Sequence, residues 1–163
     1  MPALLPLQSP RASRYTDTTV TLGNGGSLME EKYQPQQIEQ KWQKRWQEAQ
    51  LFRAEDFSPK PKLYALDFFP YPSGDGLSVG HCRNYIPTDA FCRYKHMKGF
   101  NVLHPMGWDA FGLPAENEAI RKRSHPSKTV PRYIANYKRQ MNMIGISYDW
   151  SREINSSSPD YYK

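Results

Sequence analysis

The stretch Leu63–His81 reads LYALDFFPYPSGDGLSVGH, and its reading decides the fold. The first part, Leu63 to Phe69, is a short apolar run rich in aromatics and closed by Pro70 and Pro72. That length, with those bounding prolines, predicts a buried strand rather than a helix. A Pro/Gly loop follows from Tyr71 to Gly76, and a helix is expected to begin near Gly80. Ile86, Ala90, Tyr94 and Met97 fall on one stripe of that helix. Pro87 either kinks it or marks its true first turn, and Gly99 ends it. Phe100–His104 then predicts a second strand.

Further along the chain, Pro114 is expected to open another helix, followed by the basic run Arg121-Lys122-Arg123. Pro131 is expected to begin one more, with Ile134, Tyr137, Met141 and Ile144 on its packing face and Gly145 as its stop. Upstream, ordered structure should start near Gln34, with Pro35 at the first helical position. Ile38, Trp42, Trp46 and Ala49 form one stripe there, which predicts a packing face without chemistry. Alternation of strand and helix predicts an α/β fold on a parallel sheet.

Residues 1–28 differ from the rest. They hold Pro2, Pro6, Pro10, Gly23, Gly25 and Gly26 in a Ser/Thr-rich stretch without apolar periodicity. They are expected to be a disordered tail, either a leader before a start at Met29 or an organelle transit peptide. The protein proper is then residues 29–163.

The chain has 163 residues, 22 Lys and Arg against 16 Asp and Glu, and a formal net charge of +6. Hydrophobic residues make up 38% and aromatics 13%, enough for a core, so a wholly disordered chain is excluded. No apolar run approaches the roughly 18 residues of a membrane span. Cys82 and Cys92 fit neither a zinc-knuckle spacing nor a disulfide framework, so a reduced, cytoplasmic protein is expected, organellar if the tail is a transit peptide. The basic surplus permits a phosphate-rich partner.

In an open parallel sheet, ligands bind beyond the carboxyl ends of the strands. A helix starting there turns free N–H groups and a positive dipole end toward the ligand, which favours phosphate. Gly74, Gly76 and Gly80 allow close backbone approach, and His81 adds a hydrogen-bond donor. The glycine spacing matches neither the dinucleotide fingerprint nor a P-loop. Alone, a His before a helix is more often a cap or a surface residue.

A second segment, His104–Glu116 (HPMGWDAFGLPAE), leaves the second strand on the same sheet edge. Asp109 there could hold an ammonium while Trp108 and Phe111 wall an apolar pocket. A plain Asp turn with two core aromatics is the alternative.

Together these segments resemble the catalytic domain of class I aminoacyl-tRNA synthetases, and within that class the leucyl branch. The carrying residues are Phe69–Gly74, Leu77–His81, Arg93–Lys95, Val102–Glu116 and Tyr148–Ile154. The Pro-Tyr-Pro-Ser loop and Phe111 favour the leucyl branch over the isoleucyl and valyl ones. The resemblance implies the first half of a Rossmann-like nucleotide-binding domain. It implies that the leucine carboxylate attacks the α-phosphate of ATP and expels pyrophosphate, with Mg2+ accompanying ATP and no tightly bound metal. Transfer of leucyl to the 3′-terminal ribose of tRNA(Leu) follows. It assigns Gly74, Gly80 and His81 to ATP, His81 and Ser78 to catalysis, and Phe69, Tyr71 and Asp109 to leucine, with Asp109 facing the α-amino group.

Such chemistry needs positioning and charge stabilisation more than a covalent nucleophile. Ser78 stands where the HxGH signature carries its first His; a hydroxyl donates to phosphate but carries no charge. The sequence ends at Lys163, before the family's Lys-Met-Ser-Lys-Ser loop. It is expected to be a piece of a longer protein or a truncated frame that does not catalyse adenylation by itself. A non-catalytic ATP- or RNA-binding module is the alternative.

Overall fold

The computed structural model describes residues 33–74 and 76–162, so the reading of residues 1–28 as a disordered tail lies outside it. In chain order the elements are α1 (Pro35–Glu48), β1 (Lys62–Tyr64), α2 (Val79–Met97), β2 (Asn101–Leu103) and β3 (Gly107–Trp108). Then come α3 (Leu113–Arg121), α4 (Pro126–Ile144), a 3-10 turn at Trp150–Arg152, β4 (Ile154–Asn155) and α5 (Pro159–Tyr162). β1 and β2 pair in parallel with Leu63 opposite Val102, and α2 crosses between them, so the βαβ unit is present.

The strands are parallel as expected, but they form two short ladders, β1 with β2 and β3 with β4. The first strand is also shorter than the apolar run. After Tyr64 the ladder continues through Ala65 N–H, which donates to the Leu103 carbonyl at 2.9 Å. Residues 66–69 continue with in–out alternation: Asp67 is buried and Leu66 and Phe68 are exposed. Pro70 cannot donate to a ladder, and its own carbonyl instead accepts from Asp109 N–H at 3.1 Å.

Helix starts follow their caps more than their prolines. Ser78 caps α2, so the helix begins at Val79 and runs through Pro87 without ending. Pro87 sits on the exposed side, where water can reach the carbonyl it leaves unpaired. His125 caps α4 through its ring, accepting from Ser127 N–H at 3.2 Å, and Pro126 takes the first position. Pro131, expected to open that helix, lies inside it on the exposed side. Pro114 does fall in the first turn of α3. Gly145 ends α4 in the left-handed conformation at φ 80°.

Two expected packing stripes face outward. Ile86, Tyr94 and Met97 of α2 are exposed, and the side turned inward carries Tyr85 and Cys92 with Asp89 and Arg93 beside them. That inner face is held by polar ties: Asp89 accepts from Arg93 Nε at 2.8 Å and from Ser147 N–H at 2.6 Å. Arg93 also donates to the Gly145 carbonyl and lies over the rings of Trp46 and Phe52. On α1 no residue is fully buried, and Ile38 and Trp42 are exposed. The α4 face behaves as read, with Val130, Tyr137 and Met141 buried and Ile134 packed against the core. That core lies between α2, α3, α4 and the β3–β4 ladder, around Tyr85, Met106, Trp108, Tyr137, Met141 and Tyr148.

Candidate functional site

The loop after β1 and the loop after β3 meet. Leu66, Asp67, Phe68, Phe69, Tyr71, Asp109 and Ser156 line an open cleft of about 460 Å³. Phe69, Tyr71 and Asp109, the residues assigned to an amino acid, therefore share one space. The Asp109 side of it is fixed by backbone bonds. Ile154 N–H donates to the Met106 carbonyl and Ser156 N–H to the Trp108 carbonyl, both at 3.1 Å. Ala110 N–H donates to Ser156 Oγ at 2.9 Å. Trp108 is buried, and its indole N–H donates to Glu153 at 2.7 Å. Glu153 in turn pairs with Lys138 of α4, whose ammonium lies over the Trp150 ring. Gly107 is required by this packing: a Cβ there would stand 2.6 Å from Phe69 Cε2 and 2.7 Å from the Ile154 carbonyl oxygen.

Gly74, Ser78, Gly80 and His81 do not line that cleft; they gather at the start of α2. The loop before the helix is tied to α4, since Leu77 N–H donates to Gln140 Oε1 at 2.7 Å. Gly74 and His81 both lie by Tyr137. The His81 ring packs against Phe68 at 5.9 Å, Tyr85 at 5.8 Å and Tyr137 at 6.0 Å between centroids. Phe68 thus separates the two groups of residues, with its ring on His81 and its side chain on the cleft. Burial lowers the His81 pKa below its ordinary 6.5, so the ring is neutral at pH 7.

A buried cluster behind the cleft was not read from the sequence. His104 Nε2 lies 3.0 Å from Asp67 Oδ2, and the Tyr148 hydroxyl donates to the same oxygen at 2.9 Å. All three residues are buried. A carboxylate can only accept, so the His104 proton sits on Nε2. Burial raises the Tyr148 pKa, and the Asp67 charge adds to the rise, so its hydroxyl remains a donor. The available signal was Asp67 itself, one acid inside an apolar run, which calls for buried partners. Tyr85, Gln140 and Ser156 gave none, because each acts on backbone groups far away in sequence.

A second cavity of about 260 Å³ lies between α1 and residues 145–151. None of the residues discussed for ATP or leucine lines it. Among the described residues no group of three or more His, Cys, Asp or Glu side chains gathers to hold a metal, and no helix is long and apolar enough to cross a membrane.

Comparison with known proteins agrees with this geometry. Residues 67–158 match the family model described as tRNA synthetases class I (M). A leucine–tRNA ligase of Protochlamydia amoebophila is 57% identical over 132 residues, 81% of this chain and 16% of that relative. A ternary complex of Agrobacterium radiobacter K84 agnB2 LeuRS with tRNA and LeuAMS superposes with a TM-score of 0.76. It is 42% identical, over 80% of this chain and 17% of its own. Mycobacterium tuberculosis methionyl-tRNA synthetase, solved with methionyl-adenylate, follows at a TM-score of 0.57 and 27% identity, over 61% and 19%. The chain thus spans about a sixth of the length of its leucine–tRNA ligase relatives. With the parallel βαβ unit and the paired loops already in view, the match over residues 67–158 is decisive: this chain belongs to the class I tRNA synthetases.

Proposed function

We propose that residues 29–163 form the N-terminal part of a leucine–tRNA ligase catalytic domain, and that they supply the amino-acid cleft and one side of the ATP site. The observation that carries this is the shared cleft of Asp109, Phe69 and Tyr71, with Phe68 between it and the start of α2. A carboxylate beside aromatic walls suits an amino acid with a positive ammonium and an apolar side chain. A helix N-terminus behind the same aromatic suits the triphosphate.

In this reading Asp109 takes the ammonium and orients the leucine carboxylate toward the α-phosphorus. Gly74 and Gly80 leave room for phosphate, and the neutral His81 donates to it. Mg2+ enters with ATP as the counter-ion of its phosphates. The leucyl group then passes to tRNA(Leu), in the cytoplasm, or in an organelle if residues 1–28 serve as a transit peptide. Adenylation also requires charge stabilisation on the leaving pyrophosphate. The groups assigned here all lie on one side of it, so the 163-residue chain alone is expected to bind but not to turn over. Loss of one preorganised donor already costs on the order of 10²–10³ in rate.

Calorimetric titration of the 163-residue chain with a non-hydrolysable leucyl-adenylate analogue tests this reading. Binding that is lost in Asp109→Ala, and that prefers the leucyl over the methionyl analogue, is expected. Equal binding of both analogues, or binding indifferent to Asp109, would refute the leucine assignment.

A further inference from the structure

Ser78 and His81 are bound to each other. The Ser78 backbone N–H donates to His81 Nδ1 at 3.0 Å, and Ser78 Oγ lies 2.8 Å from the same nitrogen. In return, His81 N–H donates to Ser78 Oγ at 3.4 Å, so the pair forms a capping box. A backbone N–H can only donate, so Nδ1 must present its lone pair. Since burial keeps the ring neutral, its proton is on Nε2. The hydroxyl hydrogen points to Nδ1 as well, because an unprotonated Nδ1 at 2.8 Å can only accept. No hydrogen bond to a described residue occupies Nε2.

We propose that Ser78 is a positioning residue: its hydroxyl, together with its backbone N–H, holds His81 as the Nε2–H tautomer and aims that N–H as a neutral donor at the start of α2. The inference rests on the reading of that helix start as the phosphate side of the site. It changes the part assigned to Ser78 from the sequence. The hydroxyl is committed to His81, so it acts on phosphate through the imidazole and not by direct contact. It also accounts for a Ser at this position. A cap that accepts from the third residue of the helix, and whose hydroxyl reaches the ring of that residue, fixes the ring without a second charged group. Among the described residues, the rings packed against His81 are those of Tyr85 from α2, Tyr137 from α4 and Phe68.

The test is a ¹⁵N–¹H NMR titration of the histidine-labelled 163-residue chain, in wild type, Ser78→Ala, Ser78→Gly and Ser78→Thr. Wild type is expected to show His81 with a protonated Nε2 and an unprotonated Nδ1. Ser78→Ala and Ser78→Gly keep the backbone N–H but lose the second donor to the neutral form, so the Nδ1–H tautomer should become detectable and the His81 midpoint should rise. Ser78→Thr should restore both. Glycine is nearly as good a cap as serine, so its variant keeps the helix start and isolates the hydroxyl. ATP should shift the Nε2–H resonance in wild type and bind about five-fold more weakly to Ser78→Gly, the effect of one hydrogen bond. A wild-type His81 protonated on Nδ1, or tautomer and midpoint unchanged in both Ala and Gly variants, would overturn the inference. An Nε2–H that answers to Ser78 but not to ATP would support the tautomer assignment and overturn the phosphate reading instead.

Discussion

The hydroxyl of Tyr85, on α2, donates to the Phe68 carbonyl at 3.1 Å, and the two rings lie 5.3 Å apart. Tyr85 is fully buried, so this bond fixes the backbone of a residue lining the cleft from a helix whose N-terminus holds His81. The geometry of one group of site residues thereby constrains the other. Tyr85→Phe removes the donor while keeping the ring. A loss of about 1 kcal/mol in urea unfolding is expected. The Phe68 and Phe69 amide resonances should shift in the folded state; if stability and shifts are both unchanged, the bond has no positioning effect.

Asp67 is the acceptor for two buried donors, His104 and Tyr148. Asp67→Ala would leave both unsatisfied, and a loss of about 3 kcal/mol or more is expected from denaturant midpoints. Tyr148→Phe removes only one donor and should cost less, about 1–2 kcal/mol. The reverse order would mean that the cluster is not organised around the carboxylate.

Gly107→Ala forces a methyl against the Phe69 ring and the Ile154 carbonyl oxygen. Destabilisation of about 1–3 kcal/mol is expected, of the size typical for overpacking. Because one of the crowded groups is ladder backbone, slowed amide exchange at Ile154 and Ser156 should be lost. Ala at Gly99, where nothing stands within 4 Å but φ is +84°, should leave those amides protected.

Burial lowers the folded-state pKa of His81 below 6.5, so between the two values the unfolded chain binds the extra proton. The contribution is fully present above pH 6.5 and is lost as pH falls through that value toward the folded pKa. Stability measured from pH 8 to 5 should therefore fall more steeply in wild type than in His81→Gln. Parallel curves would show that the imidazole does not titrate differently in the two states.

Cys92 is buried, and burial first, then the charges of Asp89 and Asp67, pushes its thiol up to about 12. Cys82 is half-buried one helical stretch earlier. Native alkylation at pH 8 should modify Cys82 and spare Cys92, and both should react in 6 M guanidinium. Rapid native labelling of Cys92, read by peptide mass, would mean that α2 opens readily.

The βαβ unit and the meeting of the two loops were legible because prolines and glycines punctuate them: Pro70 closes the first run and Gly99 follows α2. Asp109 and His81 stood out only when the two loops were taken together with the family resemblance; each alone reads as a turn or a cap. The inner face of α2 was not, since Tyr85, Asp89 and Arg93 share the helical period with the apolar stripe and win the interior through hydrogen bonds. Periodicity alone cannot rank a satisfied polar face above an exposed apolar one. The Asp67 cluster was hidden by distance, with partners 37 and 81 residues away. Pro131 misled because a proline can be tolerated on the solvent side of a helix that His125 and Pro126 have already started.

The β3–β4 pairing has a consequence for the order of assembly. The loop carrying Asp109 is pinned by Ile154 and Ser156, more than forty residues downstream. The β1–α2–β2 unit closes on contacts made earlier in the chain. On a growing polypeptide the aromatic side of the cleft can therefore form while the acidic side still lacks its downstream anchors, and non-local pairing of this kind is slow. The Pro70 carbonyl already holds the Asp109 N–H, but the second anchor of that loop arrives only once Ser156 has emerged, so the binding surface is completed from two moments of synthesis rather than one.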